Sequence, residues 1–459
     1  MSYSFQSALL LALIALPFSA VLALAIPAWF AHRANERAIT RVASWAFGSA
    51  VIIALLLAVT FFQSGGAIST SLGAWFRVGH YTFPIALVGD GLSIPFALFS
   101  AGLVGLIGAF SRRYLHREAG FLRFYLLLSL FGAGVELVVL AGSLDLVICG
   151  WELVGLTSAL LIAFFSERKK PVEHGLRAFV TYRACDLGLL VAAVWMHFRA
   201  GTSTITAVPG AGAFAGFPVP PGAFDVTLLG LLLLLAAMGK SAQVPFGGWL
   251  PRALEGPTPS SAIFYGAISI HLGAYLLLRA APILERAPIA AAAVVLIGAL
   301  TALHGTFVGR AQTDIKSALA YASMTQVGLI FVEIGLGFRY LALIHIVGHA
   351  AVRSSQILRS PNLLHDHHHL ERAMAEQLPR TGQHLERLVP RALQPWLYRH
   401  ALERGYFDAI LRDHLIGGLV RALRRIDALD QRWAQWLSRP LEGALDTPVL
   451  PPQQKEERS

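Results

Sequence analysis

An all-α fold, a polytopic membrane helix bundle of about eleven spans, is what this sequence predicts, on three observations. Hydrophobic residues make up 55% of the 459 positions and charged residues 14%, for a mean hydropathy of +0.59; soluble domains carry roughly 25% charged residues. Apolar runs long enough to cross lipid recur along most of the chain. The Lys and Arg residues are sorted between alternate loops.

In chain order the runs fall at roughly 8–30, 42–63, 83–110, 122–141, 143–165, 178–198, 225–256, 258–279, 288–308, 314–336 and 338–359. The opening MSYSFQ has no basic region of the secretory-signal type, so the first span is expected to be retained. The first, third and fifth loops hold Arg33, Arg37 and Arg41; Arg112, Arg113, Arg117 and Arg123; and Arg168, Lys169, Lys170 and Arg177. The second and sixth hold only Arg77 and Arg199, and the fourth holds none. The positive-inside bias then puts the odd loops and the C-terminus in the cytoplasm and the N-terminus outside.

The seventh span is expected to be discontinuous. VTLLGLLLLLAAM (226–238) suits lipid, but Gly239, Lys240, Pro245, Gly247, Gly248 and Pro251 follow at once. Glycine and proline break the helix, and a lysine near the bilayer centre costs about 2.5–3.5 kcal/mol on insertion scales.

Residues 1–359 are read as the membrane domain and 360–459 as a cytoplasmic tail that docks a partner. SPNLLHDHHHLERAMAEQLPRTGQHLERLVP (360–390) is polar and histidine-rich, with too few apolar residues to span. Leu411, Leu415, Leu419, Leu423, Ile426, Leu429, Trp433 and Leu437 then recur at three- or four-residue spacing, predicting an amphipathic helix on a membrane or a partner. TPVLPPQQKEERS is expected to be disordered. The pI of 9.9 does not argue for nucleic acid: the basic residues sit at loop margins, and the tail carries 14 Lys and Arg against 13 Asp and Glu. Cys149 and Cys185 lie in spans without a CxxC pattern, so neither a disulfide framework nor an iron–sulfur cluster is expected. No strand-borne GxGxxG, P-loop or nucleophile elbow is present, and no cofactor is expected in this chain.

Ionisable residues inside spans are expensive and each needs a reason. They are Glu136, Glu152, Arg183, Asp186, Lys240, Lys316, Glu333, His271, His304, His345 and His349. Arg183 and Asp186 are three residues apart and can pair on one helix face. His345, His349 and Arg353 form a stripe at i, i+4 and i+8. Holding helices in register would account for Arg183 and Asp186 alone. Several acids, a lysine, a broken helix and a histidine stripe together exceed what packing demands and point to an ion path. Lysine changes charge readily when its surroundings change, which suits Lys240 to a proton relay.

GWELVGLTSALL (150–161), FVTYRACDLG (179–188), GKSAQVPFGGWLPRALEGPTPSSA (239–262), AQTDIKSALAYASMTQVG (311–328) and LIHIVGHAAVRS (343–354) resemble the antiporter-like, proton-conducting subunits of respiratory complex I and Mrp antiporters, over roughly residues 85–359. The resemblance implies that Glu152 pairs with Lys240, that Arg183 and Asp186 modulate that pair, and that His345 and His349 continue the proton path. It also implies departures. The family's eighth-span histidine falls on Tyr265, and His271, six residues later, lies about 240° round an ideal helix and is a poor substitute. The lysine after the paired histidines is Arg353, which cannot release a proton. The family's later spans do not follow the eleventh, so a self-sufficient channel is not expected.

LRSPNLLHDHHHLERA (358–373) resembles the stretch after the last shared helix in DabB-type subunits of the DabA–DabB inorganic carbon system. That narrower resemblance implies a DabA-like, zinc-containing cytoplasmic partner, with the zinc in the partner and proton entry driving uptake of CO2 or bicarbonate. The alternative is a complex I-like or Mrp-type cation/proton antiporter subunit, and a third reading is a structural anchor with vestigial charges. Residues 365–369 (HDHHH) offer zinc-type ligands, but adjacent histidines rarely converge on one ion without a scaffold, so no metal is assigned.

Overall fold

The computed structural model describes residues 3–30, 35–64, 66–79, 81–207, 214–374, 389–411, 413 and 417–437, and of residues 3, 4, 64, 207, 265, 361–374, 417–420, 422, 423 and 435–437 the backbone only. Eleven helical segments are long and apolar enough to cross a membrane. In chain order the first seven are α1 (Tyr3–Trp29), α2 (Glu36–Ser64), α3 (Ser93–Tyr114), α4 (Phe121–Leu140), α5 (Leu144–Ile162), α6 (Lys169–Ala200) and α7 (Ala223–Lys240). A distorted segment, Thr258–Arg279, follows, and then α11 (Pro288–Arg310), α12 (Ile315–Gly335) and α13 (Arg339–Met374). Consecutive helices pack side by side. Where α11 crosses α12 the seam is glycine: a Cβ on Gly328 would stand 2.6 Å from the Gly298 carbonyl oxygen, so only a bare backbone allows this approach.

Three segments are built differently from the expectation, and α6 starts at Lys169, ahead of the expected 178. The span expected at 83–110 is not one helix. An antiparallel hairpin, β1 (Ile68–Val78) and β2 (Tyr81–Gly89), precedes α3. Pro84 and the Gly89, Asp90, Gly91 triplet are the breakers that the hydropathy average conceals. The Asp90 carboxylate accepts from the Leu92 and Ser93 N–H groups at 3.1 and 2.8 Å and so starts α3. The hairpin is anchored on the bundle: Gly142 N–H donates to the Ala86 carbonyl at 2.7 Å, and Tyr81 donates to Asp145, which also takes Ser203 at 2.6 Å and His197 at 2.8 Å. A two-residue pair, β3 (Thr206–Ala207) with β4 (Ala215–Gly216), is the second small sheet.

The last span ends as expected, at Ser360, but its helix does not. α13 continues to Met374, because the end of an apolar run does not end a helix; Leu363, Leu364, Leu370, Glu371, Arg372 and Ala373 are good helix formers with no glycine among them.

Third, the segment at 258–279 keeps its expected ends but is not one regular helix. It comprises α8 (Thr258–Ser261), a π turn (Ala262–Ala267), a 3-10 turn (Ser269–His271) and α9 (Leu272–Arg279), with α10 (Ala281–Arg286) after it. Ile268 N–H reaches the Ile263 carbonyl five residues back at 2.8 Å.

The contacts divide the chain into two units, Met1–Phe407 and Asp408–Ser459. In the first, Gln394–Leu402 is a short helix. In the second, Gly417–Leu437 is the expected amphipathic helix, with Ile426, Leu429 and Trp433 exposed at i, i+3 and i+7. Leu415 and the side chains of Leu419, Leu423 and Leu437 lie outside the described residues, as do 438–459.

Candidate functional site

The site is built around the end of α7. The helix runs as far as Lys240, then breaks through residues 241–245 into a 3-10 segment, Phe246–Glu255. Ala242 adopts φ 52°, a left-handed conformation that a side-chain-bearing residue takes only under constraint. The groups released by the break are met by protein. Gln243 N–H donates to the Met238 carbonyl at 2.9 Å, its side-chain amide donates to the Ser241 carbonyl at 2.8 Å, and Trp249 Nε1 donates to the Gly239 carbonyl at 3.1 Å. Val244 N–H finds Thr301 Oγ1 at 3.0 Å. These bonds make an interrupted helix tolerable inside a bundle.

Lys240 is fully buried. Its Nζ donates to the Trp151 carbonyl at 3.1 Å and lies 4.8 Å from the Trp151 ring centroid and 4.6 Å from that of Tyr182. The ammonium is thus held by a carbonyl and two aromatic faces. The direct Glu152/Lys240 pair that the resemblance implies is not the one formed here. Glu152 is ion-paired with Arg183, whose Nη2 also donates to Asp186 Oδ2 at 2.8 Å. Trp151 Nε1 donates to the other Asp186 oxygen at 2.5 Å. Arg183 therefore bridges the two acids, and no carboxylate among the described residues is ion-paired with Lys240. From α6 the guanidinium presents a planar fork of five donors, which serves Glu152 and Asp186 at once. Gly155, one turn beyond Trp151, leaves the two cations room. A Cβ there would lie 3.0 Å from Lys240 Nζ and 3.3 Å from Arg183 Nη2.

The second group of titratable residues lies beyond the break. His271 Nε2 and His349 Nδ1 are 2.9 Å apart. The ring centroid of His345 is 6.4 Å from that of His349, and His345 meets Glu333 Oε1 at 2.8 Å and Gln326 Oε1 at 3.0 Å. The expectation that His271 is out of phase is thereby corrected. It assumed 100° per residue, whereas the π and 3-10 turns between 262 and 271 change the winding and turn His271 onto α13. The two groups are mechanically joined, because Ser241 Oγ donates to the carbonyl of Ile270, the residue before His271, at 2.5 Å.

The remaining buried ionisable groups stand apart from this line or at its margins. Glu136 accepts from Ser100 at 2.6 Å through one oxygen, and the other has no partner among the described residues. Lys316 donates to Thr258 Oγ1 at 3.0 Å, which is also 3.0 Å from the Tyr114 hydroxyl. His304 packs on Phe407 and Tyr321. The side chains of 365–369 lie outside the described residues.

One buried pair was missed in the sequence altogether. Arg279 donates through Nη1 to Asp90 Oδ2 at 2.5 Å and through Nη2 to Oδ1 at 3.0 Å, with 1% and 0% of the side chains exposed. Asp90 sat inside an expected span and Arg279 at the edge of another, 189 residues apart, so no local spacing links them.

The comparisons with known proteins bear on this arrangement. The family described as NADH:quinone oxidoreductase/Mrp antiporter, TM matches residues 141–378, more than half of the chain. This chain belongs to that family. A second family, the complex I chain 5 N-terminus, matches residues 75–125. Subunit L of NADH-quinone oxidoreductase from Mycobacterium tuberculosis is 38% identical over 304 residues, 66% of this chain and 47% of that protein. Its Escherichia coli K12 counterpart is 34% identical over 336 residues, 73% of this chain and 54% of that protein. A chain of the Mrp complex from Dietzia sp. DQ12-45-1b superposes with a TM-score of 0.64 at 27% identity, covering 76% of this chain and 37% of that one. The chain thus spans about half the length of the curated relatives it matches. It is a multi-pass membrane member of the antiporter-like family, and every residue of the Lys240 and histidine groups lies inside the matched region.

Proposed function

We propose that this chain is an ion-conducting membrane subunit of a complex I-like or Mrp-type assembly, in which Lys240 carries a proton between Glu152 and the histidine group. Asp186, Glu152, Lys240, His271, His349 and His345 supply successive groups that can hold or pass a proton, and Arg183, which keeps its charge, sets the two carboxylates. The single observation that carries the reading is the placement of Lys240: fully buried, at the last turn of a helix that breaks in mid-bundle, with Arg183 holding its expected carboxylate.

Glu152 has two claimants. With Arg183 across it, as here, Lys240 faces a carbonyl and two rings. When Arg183 turns to Asp186 alone, Glu152 is released to Lys240. The number of anions facing the amine then changes, and with it the hold on its proton. Motion of α6 against α5 is sufficient to work this exchange, and the tether from Ser241 to the 270–271 backbone carries it to the histidines.

The positive-inside count supports the orientation with the N-terminus outside, and the bacterial relatives support an inner-membrane location. The inorganic-carbon reading, with a DabA-like zinc partner, rests on the 358–373 resemblance alone. The matched relatives carry complex I and Mrp names, which favours the redox and exchange class.

The test is ΔpH dissipation in inverted vesicles carrying the full assembly. Lys240→Met removes the titrating group and Lys240→Arg keeps its charge without release; each should abolish the signal with the protein still in the membrane. Full activity from Lys240→Arg would make the lysine a structural counter-charge only. Identifying the proteins that co-purify separates the classes, since a large zinc protein there would reinstate carbon uptake.

A further inference from the structure

A crevice of about 340 Å³ lies between α1 and α2, remote in sequence from the Lys240 group. Its α1 wall includes Ser19, Ala20 and Ala23, and its α2 wall Arg41, Trp45 and Ser49. Alanine and serine are too short to fill the seam where the two helices pack, which is why a hollow remains. Its size falls at the lower end of the range of small-molecule sites.

The α2 wall has an ordered chemistry. Arg41, Trp45 and Ser49 stand at i, i+4 and i+8, on one face of the helix. Arg41 is exposed, and Trp45 keeps 76% of its surface open. Among the described residues no hydrogen bond or ion pair is recorded for Arg41. The nearest acid in sequence, Glu36, is occupied by His116 at 2.6 Å and by the Arg117 N–H at 2.8 Å. No acidic residue lines the crevice. A cation and an amphipathic ring one turn apart, above a cleft of small residues in two membrane-crossing helices, match one occupant in three parts. Guanidinium takes a phosphate in a bidentate fork. Tryptophan settles at headgroup depth. The small-residue cleft receives a hydrocarbon chain. A helix of another subunit would fill the cleft as well, but it would cover Arg41 and leave the guanidinium in need of an anion of its own.

We propose that this crevice is a binding site for an anionic phospholipid, with the phosphate on Arg41, the headgroup edge against Trp45 and an acyl chain along Ala20 and Ala23.

The experiment is native mass spectrometry of the detergent-purified full chain, titrated separately with phosphatidylglycerol and with phosphatidylcholine of identical acyl chains. One phosphatidylglycerol should be retained with about tenfold preference, the order expected for one charge-assisted contact. Arg41→Gln should remove the preference, Arg41→Lys should keep part of it, and Arg310→Gln on α11 should leave it intact. Equal retention of the two lipids by the unaltered chain, or equal loss from Arg41→Gln and Arg310→Gln, would overturn the site. A photo-crosslinking aromatic residue placed at position 45 in whole cells provides the second arm. Lipid adducts support the proposal, and polypeptide adducts would show the cleft to be a subunit interface instead.

Discussion

Replacing Gly155 with alanine separates the proposed relay from the fold that carries it. The added methyl would stand 3.0 Å from Lys240 Nζ and 3.3 Å from Arg183 Nη2, with Tyr182 Cδ2 next at 3.7 Å. The two close neighbours are the far ends of flexible side chains, so the backbone need not move. Alanine in a helix interior is favoured over glycine by about 0.8–1 kcal/mol, which offsets the crowding, and folding stability should stay within about 1 kcal/mol of the parent. The relay has less latitude. Displacing Nζ by a few tenths of an ångström weakens its 3.1 Å bond to the Trp151 carbonyl, and a contact of that kind is worth about 1–3 kcal/mol. The bond is weakened rather than lost, and about 1.4 kcal/mol, toward the lower end of that range, corresponds to about a tenfold effect. We expect Gly155→Ala to lower ΔpH dissipation in vesicles about tenfold, with an unchanged thermal midpoint for the purified protein. Parental transport at normal expression would refute the reasoning, because the convergence of both cations on Gly155 would then have no functional weight.

The Asp90/Arg279 pair makes a second, purely structural prediction. Asp90→Ala should destabilise the chain by about 3–5 kcal/mol in chemical unfolding, since it strands a buried guanidinium. Burial opposes ionisation of Asp90, but Arg279 and the Ser93 and Ala215 N–H groups prevail and hold its carboxyl below the usual carboxylate range. The stability it contributes is therefore complete above about pH 4, the unfolded-chain value, and is lost as pH falls through the lower folded-state value. Acid unfolding curves of the parent and Asp90→Ala should converge there. His271→Ala should impair transport about as much as His349→Ala, and the double variant should cost less than the two combined, because the rings act as one 2.9 Å link; additive effects would dissociate His271 from the path. Deleting residues 408–459 should reduce partner recovery on co-purification, and undiminished recovery would remove the docking role proposed for the tail.

The spans and the candidate residues were legible in the sequence because both signals are local. Hydrophobic length is counted along the chain, and the cost of a charge in lipid marks Glu152, Arg183, Asp186, Lys240, His345 and His349 wherever they pair. The glycines and prolines after Lys240 likewise announced the broken helix. What stayed hidden depends on other segments. Glu152 had two cations in reach, and only the packing of α5, α6 and α7 together gave it to Arg183. His271 was placed by an ideal helical angle, but the segment it sits in is wound by π and 3-10 turns, and the carbonyl of the residue before it is held by Ser241 from 29 positions away in the chain. Asp90 and Arg279 carry no mark until the β2–α3 turn meets the end of α9. Hydropathy and spacing determine which residues must leave lipid and face one another; the choice among partners is made by distances of a few ångströms between segments, which tertiary structure alone decides.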